Sequence, residues 1–164
     1  MADDRLNHRA GASAGSRRPS GKRGADAQGL GRSRGGLSTK IHAAGDALGN
    51  PVRLIGSPGQ RNDIAFAHEL VEGFAAQATI ADKGYDADRL CDRIAETGGQ
   101  PVIPPKRNRT VKRPYDAELY KERNIIERFF NKLKQFRRVA TRYDKLLANF
   151  MGFVKLAAIA MWLK

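Results

Sequence analysis

The chain has 164 residues, the length of one domain, and 41% of them are hydrophobic, so the protein can bury a core and is not wholly disordered. Thirty Lys and Arg residues against 17 Asp and Glu residues give a net charge of +13, which favours a polyanionic partner, with nucleic acid as the first candidate. One cysteine excludes an internal disulfide, and the three histidines have no structural zinc spacing with it. The first 36 residues contain no apolar segment typical of a secretory signal, so we expect a cytoplasmic protein.

The charge is unevenly distributed along the chain. Residues 1–40 have a net charge of +6, residues 41–105 of −4 and residues 106–145 of +9. A domain with a carboxylate-rich centre and phosphate-binding edges has this pattern. Residues 1–36 are rich in Gly, Ala and Arg with almost no large apolar side chains, which predicts a flexible basic arm.

After the arm, strand and helix patterns alternate. In chain order we predict strands 37–44 and 51–57, a helix from 62 or 63 to about 76, strand 78–81, helix 86–97, strand 101–103, a long helix from 116 to about 138, and an apolar helix 144–163. Asn62 or Asp63 is the expected cap of the first helix, and Asp116 is the expected cap of the long one. This alternation predicts an α/β fold. The last helix contains Asn149, Gly152 and Lys155, so we expect it to pack within the protein rather than cross a membrane.

The long helix has a narrow polar stripe beside an apolar face. At about 100° per residue, Tyr120, Arg123, Glu127 and Lys134 fall within an arc of roughly 60°. The apolar face comprises Ile125, Ile126, Phe129, Phe130, Leu133 and Phe136. From helix geometry alone, the stripe is equally well explained as a solvated face with ordinary helical charge pairs.

The spacing of the stripe, Y-x2-R-x3-E-x6-K, resembles the signature of the DDE transposases of bacterial insertion sequences, specifically the insertion-sequence-five type within the insertion-sequence-four group. Other segments are similar to that family in the same order, namely residues 31–42, 81–86, 103–105 and 140–145. The resemblance implies an RNase H-like fold, a mixed sheet flanked by helices, over residues 37–164. It also implies Mg²⁺- or Mn²⁺-dependent cleavage and transfer of DNA strands at the ends of the element.

The resemblance assigns Asp82 and Glu127 as catalytic acids and as metal ligands. Asp82 follows a short apolar run, so it is expected where a strand opens to solvent. The chemistry needs such residues, because two metal ions in a phosphodiester-cleaving site are held by carboxylates gathered from distant parts of the chain. A turn or capping role is the alternative for Asp82, although Asp86 fits that role better.

The first acid of the family pattern is the difficult one. Only Asp3 and Asp4 precede the arm, and no apolar run leads into them. We assign Asp4 to this place and expect the first strand of the sheet to be missing or degraded, which would leave the domain incomplete. The alternative is that both aspartates are terminal residues without a role.

The basic residues are expected to bind DNA. Beside Tyr120, Arg123 and Lys134 in the stripe, the predicted contacts are Lys106, Arg107 and Arg109 in the loop before the helix and Arg137 and Arg138 after it. Terminal-repeat DNA and target DNA are the expected partners, with self-association as a further one. Two other functions stay open: a truncated, inactive remnant that only binds DNA, and a small basic nucleic-acid-binding protein without a metal site. The second would have no reason to bring Asp82 and Glu127 together.

Overall fold

The computed structural model describes residues 2–6, 27–33 and 36–163, without the side chains of residues 2–6 and Ser33. The chain divides into two compact units. The first unit contains Met1–Asp3, His42–Ile55 and Asn62–Phe129, and the second contains Asp4–Ile41, Gly56–Arg61 and Phe130–Lys164. The predicted arm contains two strands, and residues 7–26, which make up most of it, lie outside the described residues.

Strands form two sheets in the described part of the chain. Their bounds are β1 Ala2–Leu6, β2 Gly31–Ser33, β3 Gly36–Gly45, β4 Pro51–Pro58, β5 Ala78–Ile80 and β6 Gln100–Val102. The larger sheet has the order β1-β3-β2, with β4 also paired to β3, and β2 runs antiparallel to β3. In the smaller sheet β5 and β6 are parallel, with Ala78 opposite Gln100 and Ile80 opposite Val102.

The helices alternate with these strands as the sequence predicts for an α/β protein. Their bounds are α1 Ala67–Val71, α2 Asp88–Glu96, α3 Ala117–Tyr120, α4 Asn124–Leu133, α5 Arg137–Ala140 and α6 Leu147–Trp162, with short 3-10 helices at Asp63–Phe66, Lys83–Tyr85 and Lys121–Arg123. None of the helices in the described residues has the length and apolar character needed to span a membrane.

The predicted hairpin and the β5 and β6 strands are confirmed to within a residue or two. Gly49, which has a φ of 88°, lies in the turn between β3 and β4, where the Asp46 carboxylate accepts hydrogen bonds from the backbone of Leu48 and Asn50. Gly98, with a φ of 79°, follows α2 as predicted.

The core of the first unit lies where α1 and α2 pack on the ends of the strands. Its fully buried members include Leu70 of α1 and Leu90 of α2, together with Ala81 and Tyr85 just after β5. Leu90, Cys91 and Ile94 form the buried face of α2, as their spacing predicts. This packing fixes the chain immediately on both sides of Asp82.

The first strand, expected to be missing or degraded, is present as β1 and pairs with β3. The prediction of a missing strand is therefore wrong, whereas that of a degraded strand stays a prediction. The lack of an apolar run before Asp4 does not prevent pairing, because backbone hydrogen bonds to β3 require no particular side chains. Asp3 and Asp4 lie in this strand, and their side chains are outside the described part of the structure.

Two predicted helices are shorter than expected. The first ends at Val71 rather than near Ala76, because Gly73 adopts a φ of 77° and the residues beyond Val71 have no buried surface to gain. Arg53 donates to the backbone oxygens of Glu69 in α1 and of Glu72 just beyond it, and the Phe74 N–H donates to the Val71 carbonyl. The Asn62 side chain makes no capping hydrogen bond, so the predicted cap is also wrong at that residue.

The long helix is not continuous to Arg138. It comprises α3, a 3-10 turn and α4, and it ends at Leu133; α5 begins after an extended Phe136. Leu133 and Val139 are both buried, and six residues apart they would lie about 120° apart on one continuous helix. The break allows both side chains to reach the core. The predicted cap at its start is confirmed, because the Asp116 carboxylate accepts from the backbone of Glu118 and Leu119.

In the second unit a buried arginine joins several segments. The Arg142 guanidinium donates to the backbone oxygens of Gln28 and Lys145 and to the Thr39 hydroxyl, and it lies 5.1 Å from the Phe150 ring centroid. Burial lowers the pKa of Arg142 from its usual value, and the nearby Asp144 opposes that change. This arginine lies in segment 140–145, one of the segments that carry the family resemblance.

Removing the cap at Asp116 is expected to destabilise the helical segment that carries Tyr120, Arg123 and Glu127. The substitution Asp116→Ala leaves two backbone N–H groups without their acceptor, which costs about 1 kcal/mol of unfolding free energy. Urea denaturation measures this loss. Asp116→Asn, which keeps a capping oxygen, is the control and should stay close to the original stability; equal losses in the two variants would contradict the capping role.

Candidate active site

Asp82 lies just beyond the end of β5, at the start of the 3-10 helix Lys83–Tyr85. Its backbone is extended, with a φ of −67° and a ψ of 157°, and its side chain makes no capping hydrogen bond to the following turn. The side chain keeps 31% of its surface exposed, although Ala81 before it is fully buried. The carboxylate therefore opens to solvent at a strand end, as the sequence predicts.

Arg123 joins Asp82 to Glu127. Its Nη1 atom lies 3.1 Å from Asp82 Oδ1, and its Nη2 atom lies 2.9 Å from Glu127 Oε1. Because one guanidinium contacts both groups, the two carboxylates lie within about 8 Å of each other. The structure thus brings together the two acids that the sequence analysis named, from a strand end and from α4.

Tyr120 completes this group. Its hydroxyl donates to Asp82 Oδ1 at 3.1 Å, and the Arg123 guanidinium carbon lies 5.3 Å from the centroid of its ring. Burial and the negative charge of Asp82 raise the pKa of Tyr120 to about 12, and Arg123 opposes that rise. At neutral pH the phenol is protonated and can only donate to the carboxylate. Three of the four stripe residues, Tyr120, Arg123 and Glu127, therefore lie at one site.

The turn that begins at Asp82 is connected to a group of ring side chains, Tyr85, His42 and Phe66. The backbone N–H of Tyr85 donates to the Asp82 carbonyl at 2.8 Å, and the Tyr85 hydroxyl lies 3.2 Å from Nδ1 of His42. The His42 ring stacks on Phe66 with centroids 4.7 Å apart, and both His42 and Tyr85 are fully buried. The sequence analysis missed this support. The sequence signal for this support is His42 itself, a histidine inside a predicted strand, because a buried imidazole needs a polar partner.

The basic loop before the long helix is bound to Asp86 and to Asp88 of α2. Asp86 is buried; its carboxylate accepts from the Lys106 backbone and from Arg109, both at 2.7 Å. Arg109 also pairs with Asp88, and the Lys106 ammonium donates to the Asp86 carbonyl at 3.3 Å. Asp86 therefore binds the basic loop rather than taking the capping role predicted for it, and Lys106 and Arg109, predicted to bind DNA, have internal partners. Arg107 is exposed.

The remaining predicted DNA contacts belong to the second unit. Lys134 follows the last residue of α4, and its backbone N–H still donates to Phe130 at 3.0 Å. Arg137 is exposed in α5, and the guanidinium carbon of Arg138 lies 4.1 Å from the Phe153 ring centroid. The prediction that Lys134 shares a face with the other stripe residues requires a helix that continues to Arg138. The helix instead ends at Leu133.

The donors at this site fit a hard divalent cation. Carboxylate oxygens are the ligands that Mg²⁺ and Mn²⁺ prefer, and the Asp82 and Glu127 side chains are 31% and 44% exposed, so a hydrated ion can reach them. Among the side chains that the structure describes, no three His, Cys, Asp or Glu residues converge to hold a metal ion. The described part of the site therefore contains two carboxylates.

Comparison with known proteins identifies the same family as the motifs. A family model described as "Transposase DDE domain" matches residues 9–163. A Brucella ovis protein named as a transposase for insertion sequence element IS6501 is 43% identical over 132 residues, which cover 78% of this chain and 100% of that relative. A Burkholderia cepacia protein named as a transposase for insertion sequence element IS402 is 27% identical over 130 residues, which cover 72% of this chain and 59% of that relative. No solved structure matches significantly.

The contact between Asp82 and Tyr120 can be tested by titration. Burial and the charge of Asp82 together raise the pKa of Tyr120, and Asp82→Asn removes only the charge, so we expect that pKa to fall below about 12. NMR of ¹³C-labelled tyrosine, with Tyr120→Phe to assign the resonance, measures the change. Asp92→Asn, an exposed change of the same kind in α2, should leave the Tyr120 pKa where it was. An unaltered pKa in Asp82→Asn would rule out the contact.

Proposed function

The chain belongs to the transposase DDE domain family, as its motifs predict, and we propose that it is the catalytic domain of an insertion-sequence transposase that cleaves and transfers DNA strands at the ends of the element. The observation that carries this proposal is the pair of carboxylates, Asp82 and Glu127, held by one guanidinium at the end of β5. A basic protein that only binds nucleic acid has no use for two acids gathered in this way. The mixed α/β architecture is compatible with the RNase H-like fold that we propose for the domain.

Asp82 and Glu127 are the proposed ligands of the metal. Members of the family generally use divalent metal ions, and for this chain we propose Mg²⁺ or Mn²⁺. When bound, such ions stabilise charge on the attacked phosphate and on the leaving oxygen, and they lower the pKa of a bound water or hydroxyl. Asp4 is the proposed third acid. The family resemblance supports this assignment, and Asp4 lies in β1.

The residues around the acids are proposed to hold the DNA. Tyr120 orients the Asp82 carboxylate through its hydrogen bond, which restricts the rotation of that side chain. Arg123 provides a forked cation next to the acids, a geometry that suits a phosphate group. Arg107, Lys134, Arg137 and Arg138 are proposed as backbone contacts that position the duplex without reading its sequence. Lys106 and Arg109 are better explained as the residues that fix the basic loop to Asp86.

DNA is the proposed partner, in the form of the terminal repeats of the element and the target duplex, and self-association would bring two such ends together. The net charge of +13 supports binding to the phosphate backbone, whose affinity falls steeply with salt. The alternative function is an inactive remnant that binds DNA and does not cleave it. A cleavage assay separates that alternative from the proposed enzyme.

Removing either acid is expected to abolish cleavage and leave binding nearly intact. In Glu127→Gln and Asp82→Asn a neutral amide replaces a carboxylate of similar shape, so cleavage of terminal-repeat DNA in Mg²⁺ should fall by at least about 100-fold. Gel-based cleavage and fluorescence anisotropy with the same DNA measure the two properties.

Glu118→Gln is the matched control, because Glu118 is an exposed residue of the same helical segment whose partner is Lys121. It should cleave as well as the unsubstituted chain. Cleavage by Glu127→Gln at the control rate would refute the role of Glu127, and DNA binding without any cleavage by the unsubstituted chain would support the remnant instead.

A further inference from the structure

The arrangement of Arg123 is unusual for a residue that serves only as a DNA contact. Both outer nitrogens of its guanidinium are engaged, one with Asp82 and one with Glu127, and its side chain is only 28% exposed. The pair with Glu127 is a common helical i, i+4 contact. The pair with Asp82 joins residues 41 positions apart in the sequence and is made at a strand end whose conformation the core fixes. Helical charge pairing alone does not explain this second contact.

The two carboxylates that hold Arg123 are also those that a divalent cation would need. Asp82 Oδ1 accepts from both Tyr120 and Arg123, and Glu127 Oε1 accepts from Arg123. A cation close to both oxygens would meet the positive charge of the guanidinium at a few ångströms, where repulsion in a partly buried setting is strong. An arginine cannot relieve that repulsion by losing its proton, because it stays charged at any ordinary pH. It can only move away.

We propose that Arg123 is an internal counter-ion, which occupies the place of the divalent cation in the metal-free protein and leaves it when the cation binds. This inference rests on the proposed function, since it assumes that Asp82 and Glu127 are metal ligands. The guanidinium neutralises one of the two negative charges and prevents the carboxylates from repelling each other before the metal arrives. Arg123 is thus a competitor of the metal as well as a neighbour of it.

The released guanidinium then becomes available to the DNA. A forked cation next to the acids binds a phosphate oxygen pair more readily once its outer nitrogens and its charge are no longer shared with two carboxylates. Metal binding and phosphate binding are therefore coupled through one side chain, and each strengthens the other. Arg123 therefore becomes available to a phosphate group after the cation has bound.

The test measures Mn²⁺ affinity without relying on catalysis. Free Mn²⁺ is followed by electron paramagnetic resonance while the full chain is titrated at pH 7. The substitution Arg123→Gln should tighten Mn²⁺ binding about tenfold, because two partly exposed ion pairs no longer have to be broken. Arg123→Lys, which keeps the charge but loses the fork, should give an intermediate value.

Arg128→Gln is the matched control, because it removes the same charge from an exposed residue one position beyond Glu127. It should change the affinity less than about twofold. Equal gains in Mn²⁺ affinity in Arg123→Gln and Arg128→Gln would mean that the loss of any nearby positive charge has the same effect, and this would overturn the proposal. Weaker Mn²⁺ binding in Arg123→Gln would overturn it too. A second measurement needs no substitution: Mg²⁺ should increase the mobility of the Arg123 Nε–H group in ¹⁵N relaxation, and an unchanged Nε–H would count against the release.

The outcomes separate this inference from the function on which it rests. Mn²⁺ binding that Asp82→Asn abolishes and Arg123→Gln leaves unchanged would preserve the metal site and remove only the counter-ion. If neither the unsubstituted chain nor any variant binds Mn²⁺, both the counter-ion and the proposed metal site are wrong.

Discussion

The guanidinium of Arg123 is the contact on which the candidate site depends. Asp82 follows a strand and Glu127 lies on a helix much later in the chain, yet both carboxylates contact this one group. Two carboxylates in a partly buried setting repel each other unless a cation lies between them. The fold brings the acids together, and Arg123 provides the cation that makes their proximity stable. The proposed chemistry replaces that cation with a divalent ion at the same oxygens.

Most of the secondary structure could be predicted from local patterns, whereas Asp82 and Glu127 are singled out by the resemblance to the family. The hairpin between β3 and β4 follows from turn residues around Gly49, and the buried face of α2 follows from the spacing of Leu90, Cys91 and Ile94. The short apolar run before Asp82 predicts that this residue follows a strand, and it lies just beyond the end of β5. The family could be recognised as well, because several separated motifs occur in the right order and the family model matches most of the chain.

The remaining features depend on contacts between distant residues, which periodicity does not contain. The long helix ends at Leu133 without a Gly or Pro there, and both Leu133 and Val139 beyond the break are buried. Strand β1 forms without an apolar run because β3 pairs with it through the backbone. The sequence predicts that Arg109 contacts DNA, but in the structure Arg109 pairs with the buried Asp86 carboxylate. The support of Asp82 by Tyr85 and His42 likewise joins residues that are far apart in the chain.

The decisive measurement is paramagnetic broadening by Mn²⁺ in the amide NMR spectrum of the full chain. If Asp82 and Glu127 form one cation site, substoichiometric Mn²⁺ should first broaden the signals of residues 81–83 and 123–128 together. The other exposed acids, such as Asp92 and Glu96 of α2, should be affected only at much higher concentrations. Broadening that begins at those acids, or that reaches one of the two segments without the other, would contradict a shared site.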